Sequence, residues 1–309
     1  MTGQPSAKDG GGSVSVVVLS YNRRDLLREN LRRLRELSPA PREIIVVDNA
    51  SCDGSLEMIR AEFPEITLVA NDENLGVARG RNAGFRRASG DFIVYLDDDS
   101  FAPVDICDRT VALFDRFPRA GCLAYEMYHD DRLWSQWEDG TKVSNYYGGG
   151  HAFRTAALKA IDFLDESMWF GGEEIDSSLR LYRAGYDVVA ATSIRIVNTG
   201  MKQSPETAVK RAADWYTNFF GFYLRFFPYP LALLFIGRMT VSYVGLCFRT
   251  RTARPLTEGA ARALQRLPDT LRGRDVVPDW LARFYADPSL VPAHYNVSVV
   301  SKLRSKLKR

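Results

Sequence analysis

Hydrophobic and polar positions along the N-terminal two-thirds of the chain alternate between two periods. Short β-branched runs, SVVVL from Ser15, EIIVVD from Glu43, ITLVA from Ile66 and DFIVYLD from Asp91, are separated by DLLRENLRRLREL, SLEMIRAEF and VARGRNAGFRRA, which carry the helical period. Strands covered on both faces read as continuous apolar runs, so this rhythm predicts a mostly parallel α/β sheet flanked by helices. In the first helix Leu26, Leu27, Leu31, Leu34 and Leu37 fall on one stripe, the expected core-facing side. Further on, Ile175, Leu179 and Tyr182 predict a helix that opens with Glu173 and Glu174 and is ended by Gly185. VVAA and IRIV then read as two short strands, and from about Ala208 the chain turns helical and aromatic. The expected division is a disordered tail over 1–13, an α/β domain over 14–207 and a helical region over 208–309.

Ligands of open α/β sheets collect at the carboxyl ends of the strands. Polar clusters stand there: Ser20, Tyr21 and Asn22 after the first strand, Asp48 to Ser51 after the second, and Asp97, Asp98 and Asp99 after the fourth. All three clusters are expected to line one crevice. Three carboxylates at the end of a buried strand repel one another unless a cation or hydrogen-bond donors offset them. A divalent ion is the simplest remedy, and hard oxygen ligands suit Mg2+ or Mn2+ completed by diphosphate oxygens and water. The blander reading has these acids capping a helix, and Asp48 to Ser51 equally reads as an Asx turn. The segment from Glu126 to Gly150, rich in aromatic, glycine and acidic residues and without a period, reads as a loop that closes over a ligand.

Composition narrows the choice. With 309 residues, 46% of them hydrophobic, the chain can bury one large core or two modest ones, and a net charge of +3 gives no basic surplus for nucleic acid. Cys52, Cys107, Cys122 and Cys247 are too scattered for a disulfide framework or a zinc site, which fits a reducing cytoplasm. MTGQPSAKDGGG has no apolar run and reads as a flexible tail, not a signal peptide. Tyr229 to Phe248 has nearly the length of a membrane span but carries Arg238 at its centre, at a cost of about 2.5–3.5 kcal/mol on insertion scales. A helix lying in the membrane interface, or packed on the α/β domain, is expected instead. The terminal SKLRSKLKR, with five cations and no acid, would attract anionic lipid at the inner face of the membrane or simply remain solvated.

Four blocks stand in order along the chain: SVVVLSYNR, IIVVDNASCDGS, NDENLGVARGRNAGFRRASGDFIVYLDDD and FGGEEIDSSLRLYRAGYDV. From Val14 to about Gly200 they resemble the inverting glycosyltransferases of family 2 with the GT-A fold, and among these the rhamnosyltransferase-like branch. The resemblance implies a Rossmann-like, mostly parallel sheet with a helical C-terminal extension. It also implies transfer of a sugar from a UDP- or dTDP-activated donor to an acceptor hydroxyl, assisted by Mg2+ or Mn2+.

Residue by residue, Ser20, Tyr21, Asn22 and Asp48 match the groups that hold nucleobase and ribose. Asn74, Gly76, Arg81, Asn82 and Gly84 match the segment that faces the nucleotide, with Arg81 as a diphosphate or base contact. Asp97 and Asp99 match the ribose and metal carboxylates, with Asp98 between them and Asp99 the more direct ligand. Gly148, Gly149 and Gly150 match a stretch bordering the donor sugar, next to a His151 that reads as structural. Glu174 matches the general base, which must remove the acceptor proton on the face opposite the leaving diphosphate; Glu173 and Asp176 are the alternates. Acids also favour a helix N-terminus without any chemistry, but the Gly171–Gly172 hinge and the matching Arg180 favour function. Two positions depart from the family: Glu174 stands where Asp is usual, and Asn198 where many relatives place a His, which implies weaker metal affinity. Those departures motivate the alternative of a non-catalytic nucleotide-sugar-binding protein. A nucleotidyltransferase or dinucleotide dehydrogenase would need a Gly-rich loop after the first strand, and LSYNRRD has none.

Overall fold

A computed structural model describes residues 12–129, 132–133, 137–199, 204–287 and 290. In chain order the elements are β1 (Val14–Ser20), α1 (Arg24–Arg35), β2 (Glu43–Asp48), α2 (Ser55–Glu62), β3 (Thr67–Ala70), α3 (Gly76–Arg87), β4 (Phe92–Asp97), β5 (Ser100–Phe101), α4 (Ile106–Arg116) and β6 (Ala120–His129). There follow β7 (Arg132–Leu133), β8 (Gly150–Arg154), α5 (Thr155–Ala160), α6 (Glu173–Arg183), β9 (Asp187–Asn198), α7 (Pro205–Phe226), α8 (Tyr229–Thr250), α9 (Arg254–Gln265), α10 (Leu267–Arg272) and α11 (Asp279–Ala286).

The strands form one sheet in the order β3-β2-β1-β4-β8-β6-β9-β5, with β7 paired to β6. The four strands expected from the apolar runs are mutually parallel, and β8 joins β4 antiparallel, so the sheet is mixed. Because the chain runs outward from β1 to β3 and then returns to β4, the order switches at β1, where a crevice opens at the carboxyl ends. One face of the sheet is covered by α1, α2 and α4, through Leu27, Leu31, Leu34, Met58, Ile59 and Phe114. The other is covered by α3, α5 and α6, and also by α7 and α11, whose Phe222, Phe226, Leu281 and Tyr285 enter the same core.

Three expectations are corrected here. VVAA and IRIV are a single strand, β9: its partner β6 shifts register between Tyr125 and Glu126, and the bulge accommodates the polar Thr192 and Ser193 that read as a break. Glu126 does not begin a loop but lies buried within β6, and Val143 to Tyr146 are buried as well, so much of that segment is core. Helix α7 starts at Pro205, where Ser204 Oγ accepts the Thr207 N–H, so the turn to helical character precedes Ala208. The tail up to residue 11 and the basic C-terminal run lie outside the described residues.

Helix α6 ends as Gly185 predicts: the Gly185 N–H donates to Tyr182 O and the Tyr186 N–H to Leu181 O, with Gly185 at φ +85°. Gly171, before α6, has φ +74° and faces α7 so closely that an added Cβ would lie 1.7 Å from Trp215 Nε1, whereas one at Gly185 meets nothing within 4 Å. Gly185→Ala is therefore expected to cost about 1–2 kcal/mol of backbone strain, and Gly171→Ala about 1–3 kcal/mol more from overpacking. Urea denaturation of the two variants measures the difference, and equal losses would mean that α7 does not press on Gly171.

Candidate active site

Strand register sets the predicted polar groups side by side. Ser20 at the end of β1 pairs with Asp48 at the end of β2, and Leu19 pairs with Asp97 at the end of β4. The loops beyond are tied together: the Asn22 N–H donates to Ser51 Oγ at 2.9 Å, and the Cys52 N–H to Asn22 Oδ1 at 2.8 Å. Asn22 has φ +53°, a conformation Asn tolerates better than most residues. Asp48 Oδ2 accepts the Ser51 N–H at 2.9 Å, so the turn reading holds, while its Oδ1 is buried without a hydrogen-bond partner. Tyr21 stands exposed beside this pair.

The repulsion among Asp97, Asp98 and Asp99 is offset within the protein by a residue the sequence reading passed over. Arg23 Nη1 reaches Asp98 Oδ1 at 2.8 Å and Asp99 Oδ2 at 2.9 Å. Ser20 Oγ donates to Asp98 Oδ2 at 2.9 Å and Asn198 Nδ2 to Asp99 Oδ1 at 2.8 Å. Burial, opposed by Arg23, pushes the Asp98 carboxyl up to about 7. Burial and then the charge of Asp97 raise Asp99, with Arg23 and Asn198 opposing. Asp97 is the open carboxylate of the three: its side chain is 35% exposed and accepts the Tyr95 hydroxyl at 2.6 Å. No group of three or more His, Cys, Asp or Glu among the described residues could hold a metal by itself. Two hard carboxylates do fit Mg2+ or Mn2+ if diphosphate oxygens complete the shell and Arg23 releases Asp99.

Opposite these acids lies Arg81, on α3 and almost fully buried. Its Nη1 is 3.0 Å from Glu173 Oε1 and 3.9 Å from Glu174 Oε1, and its Nη2 is 3.6 Å from Asp97 Oδ1 and donates to Gly148 O at 3.0 Å. The guanidinium also sits 4.5 Å over the Tyr95 ring. Burial, then the neighbouring Glu174 charge, raises the Glu173 carboxyl well above the usual range, with Arg81 opposing. Gly148 permits this convergence: a Cβ there would lie 2.2 Å from Glu174 Oε1, and one on Gly149 would lie 3.2 Å from Asp97 Oδ2.

Other expected site residues face elsewhere. Asn82 is sealed away from the crevice, donating to Leu164 O and Glu166 Oε1 and accepting the Leu164 N–H, because the next residue along a helix points about 100° away from Arg81. Asp176 is turned from Glu174 for the same reason and pairs with Arg180 at 2.7 Å; Arg180 in turn donates to Ile161 O and Phe163 O, so it braces a loop. Asn74 accepts from Asn49 and from the Gly76 N–H, and the absent Gly76 side chain makes room for Trp169 O. Gly150 packs on Ile196, and His151 is fully buried among Tyr95, Tyr146 and Phe153.

The model of the family described as "Glycosyl transferase family 2" matches residues 15–170, just over half of the chain. The chain belongs to glycosyl transferase family 2. An uncharacterized glycosyltransferase of Haemophilus influenzae is 30% identical over 105 residues, covering 34% of this chain and 35% of that protein. The teichuronic acid biosynthesis glycosyltransferase TuaG of Bacillus subtilis, itself described as putative, is 33% identical over 90 residues, covering 28% and 35%. The chain thus spans about a third of the length of these curated relatives. The solved mannosyltransferase PcManGT of Pyrobaculum calidifontis, in complex with GDP-Man and Mn2+, superposes with a TM-score of 0.57 at 19% identity, covering 90% of this chain and 79% of that one. Staphylococcus aureus TarS 1-349 with UDP-GlcNAc gives a TM-score of 0.55 at 17% identity, covering 87% and 82%. These neighbours share the fold, GT-A in type, with a helical C-terminal region here.

The family match ends before Glu173, so it is the packing of this family 2 chain that brings the acid pair to Asp97. That packing rests on Arg81. Arg81→Met would remove the buried cation that Glu173, Glu174 and Asp97 share and is expected to cost about 3–5 kcal/mol. A carboxyl whose folded pKa is raised contributes stability below the ordinary carboxylate range and loses it as pH rises through the folded value. Glu173 keeps its proton up to about pH 8 beside Arg81 and to still higher pH without it, so the Arg81→Met deficit should grow as pH rises through about 8, where the wild type begins to hold the Glu173 charge. Urea denaturation across pH checks this, and a deficit independent of pH would show that Arg81 does not hold the Glu173 charge.

Proposed function

We propose that this chain is an inverting glycosyltransferase of the rhamnosyltransferase-like branch, moving a sugar from a UDP- or dTDP-linked donor to an acceptor hydroxyl. The observation that carries the reading is the Gly148–Gly149 backbone, which borders Glu174 on one side and Asp97 on the other. A base and a donor-side carboxylate thus face one space, as attack with inversion requires. Glu174 takes the acceptor proton; Glu173, tied to Arg81 and holding its own proton tightly, positions it. Asp48 Oδ1, a buried acceptor without a partner, suits a uracil or thymine N3–H, with Tyr21, Asn22 and Ser20 around it.

Asp97 and Asp99 would hold the ion, and when bound Mg2+ or Mn2+ supplies positive charge to the leaving diphosphate. The neighbours with GDP-Man and Mn2+ and with UDP-GlcNAc support a nucleotide-sugar donor and a divalent metal. Calorimetric titration with UDP, dTDP and GDP, with and without Mn2+, is expected to give metal-dependent binding of one of them that Asp99→Ala abolishes. Glu174→Gln should retain that binding and lower the transfer rate roughly 10²- to 10⁴-fold. Binding without any transfer or donor hydrolysis in the wild type would favour the non-catalytic alternative, which the Arg23 clamp on Asp98 and Asp99 would suit. No nucleotide binding at all would sink both.

The same reading sets the protein on the cytoplasmic face of a membrane through α8. This helix is the one among the described residues long and apolar enough to cross a membrane, and only Ala232 along it is buried. Its open face carries Tyr229, Leu233, Leu234, Val241, Val244 and Phe248, and the helix has Arg238 and Arg249 but no acid. Co-sedimentation with phosphatidylglycerol vesicles is expected and should be lost in Val241→Glu/Phe248→Glu. Equal recovery of both proteins in the supernatant would refute membrane attachment through α8.

A further inference from the structure

Helix α7 lies along the segment from Trp169 to Gly172 that leads into the acid pair. Asn218 Nδ2 donates to Phe170 O at 3.2 Å and to Gly171 O at 2.7 Å, and the Trp215 ring stacks on Phe170 with centroids 6.5 Å apart. One turn before Trp215, Arg211 Cζ sits 4.2 Å over the Phe170 ring, and Lys210 Nζ is 5.4 Å from the Trp169 ring centroid. This helix starts 35 residues beyond the end of the family match at residue 170, so its cations belong to this chain's own C-terminal region.

Arg211 is half-buried and makes no hydrogen bond or ion pair among the described residues. It nevertheless lies within electrostatic reach of Asp97, Asp99 and Arg23. Burial and then the Arg23 charge lower its pKa, with the two carboxylates opposing. Arg23 is already committed to Asp98 and Asp99. A partly desolvated guanidinium without an anion is unfavourable until one arrives. Its planar donor fork suits two phosphate oxygens, and its seat on Phe170 fixes the plane of that fork.

We propose that Arg211 receives the diphosphate of the donor, so that the C-terminal helix α7 completes the donor site beside Asp97 and Asp99. The inference rests on the glycosyltransferase reading above and deepens it. Because Phe170 belongs to the segment that delivers Glu173 and Glu174, occupation of Arg211 fixes the loop under the base at the moment the leaving group is held.

The test uses the full chain and its Arg211→Gln and Arg211→Lys variants. Each is titrated in Mn2+ with UDP and uridine, and likewise with the dTDP and thymidine and the GDP and guanosine pairs. For the nucleotide the wild type binds, Arg211→Gln is expected to weaken the diphosphate form roughly 10- to 100-fold. Nucleoside affinity should not change, and Arg211→Lys should recover part of the loss. The melting temperature should change little, since Arg211 gives up its seat on Phe170 but no hydrogen bond or ion pair. Wild-type affinity for the diphosphate in Arg211→Gln would overturn the assignment and leave the glycosyltransferase reading standing, as would an equal loss for nucleoside and diphosphate. A wild type that binds no nucleoside diphosphate would overturn both.

Discussion

A single buried guanidinium joins the two halves of the candidate site. Arg81 reaches Asp97 at the end of β4, the Gly148 carbonyl before β8, and Glu173 and Glu174 at the start of α6. These groups come from parts of the chain that have no local reason to meet. Brought together without a cation, three carboxylates in a medium of low polarity would repel one another strongly. With Arg81 among them, the acid pair can be held beside Asp97. A buried ion network of this kind contributes little net stability, but removing one member leaves a charge uncompensated, so it specifies the arrangement firmly.

The second charge cluster follows the same logic nearer the surface. Arg23 spans Asp98 and Asp99 and leaves Asp97 the more open. Ser20 and Asn198 supply further donors. The aspartates are therefore already satisfied by the protein, and any divalent ion has to compete with Arg23 for Asp99. Asn198 extends this preference, since its amide donates to the Asp99 carboxylate.

The C-terminal helices serve two ends. Through Phe222, Phe226, Leu281 and Tyr285 they share the core under the sheet. Through Trp215 and Asn218, α7 grips the Gly171 turn from which the acid pair departs. Helix α8, by contrast, turns an apolar face outward, a poor use of hydrophobic surface in water and a good one against lipid.

The sequence by itself determined the α/β order, the stripe of α1, the end of α6 at Gly185 and the gathering of Ser20, Asp48 and Asp97 at one edge. Each follows from local periodicity, turn chemistry or strand register, which neighbouring residues dictate. The opposite facing of Asn82 and Asp176 was also within reach, because one or two positions along a helix turn a side chain away from Arg81 or Glu174. Only the tertiary structure decided that Arg23, and not its neighbour Arg24, clamps the aspartates; that Arg81 gathers Asp97, Glu173 and Glu174 around it; and that Thr192 and Ser193 lie within one strand. These depend on which distant segments come within a few ångströms in a medium of low polarity. Residue type and spacing carry no record of that distance.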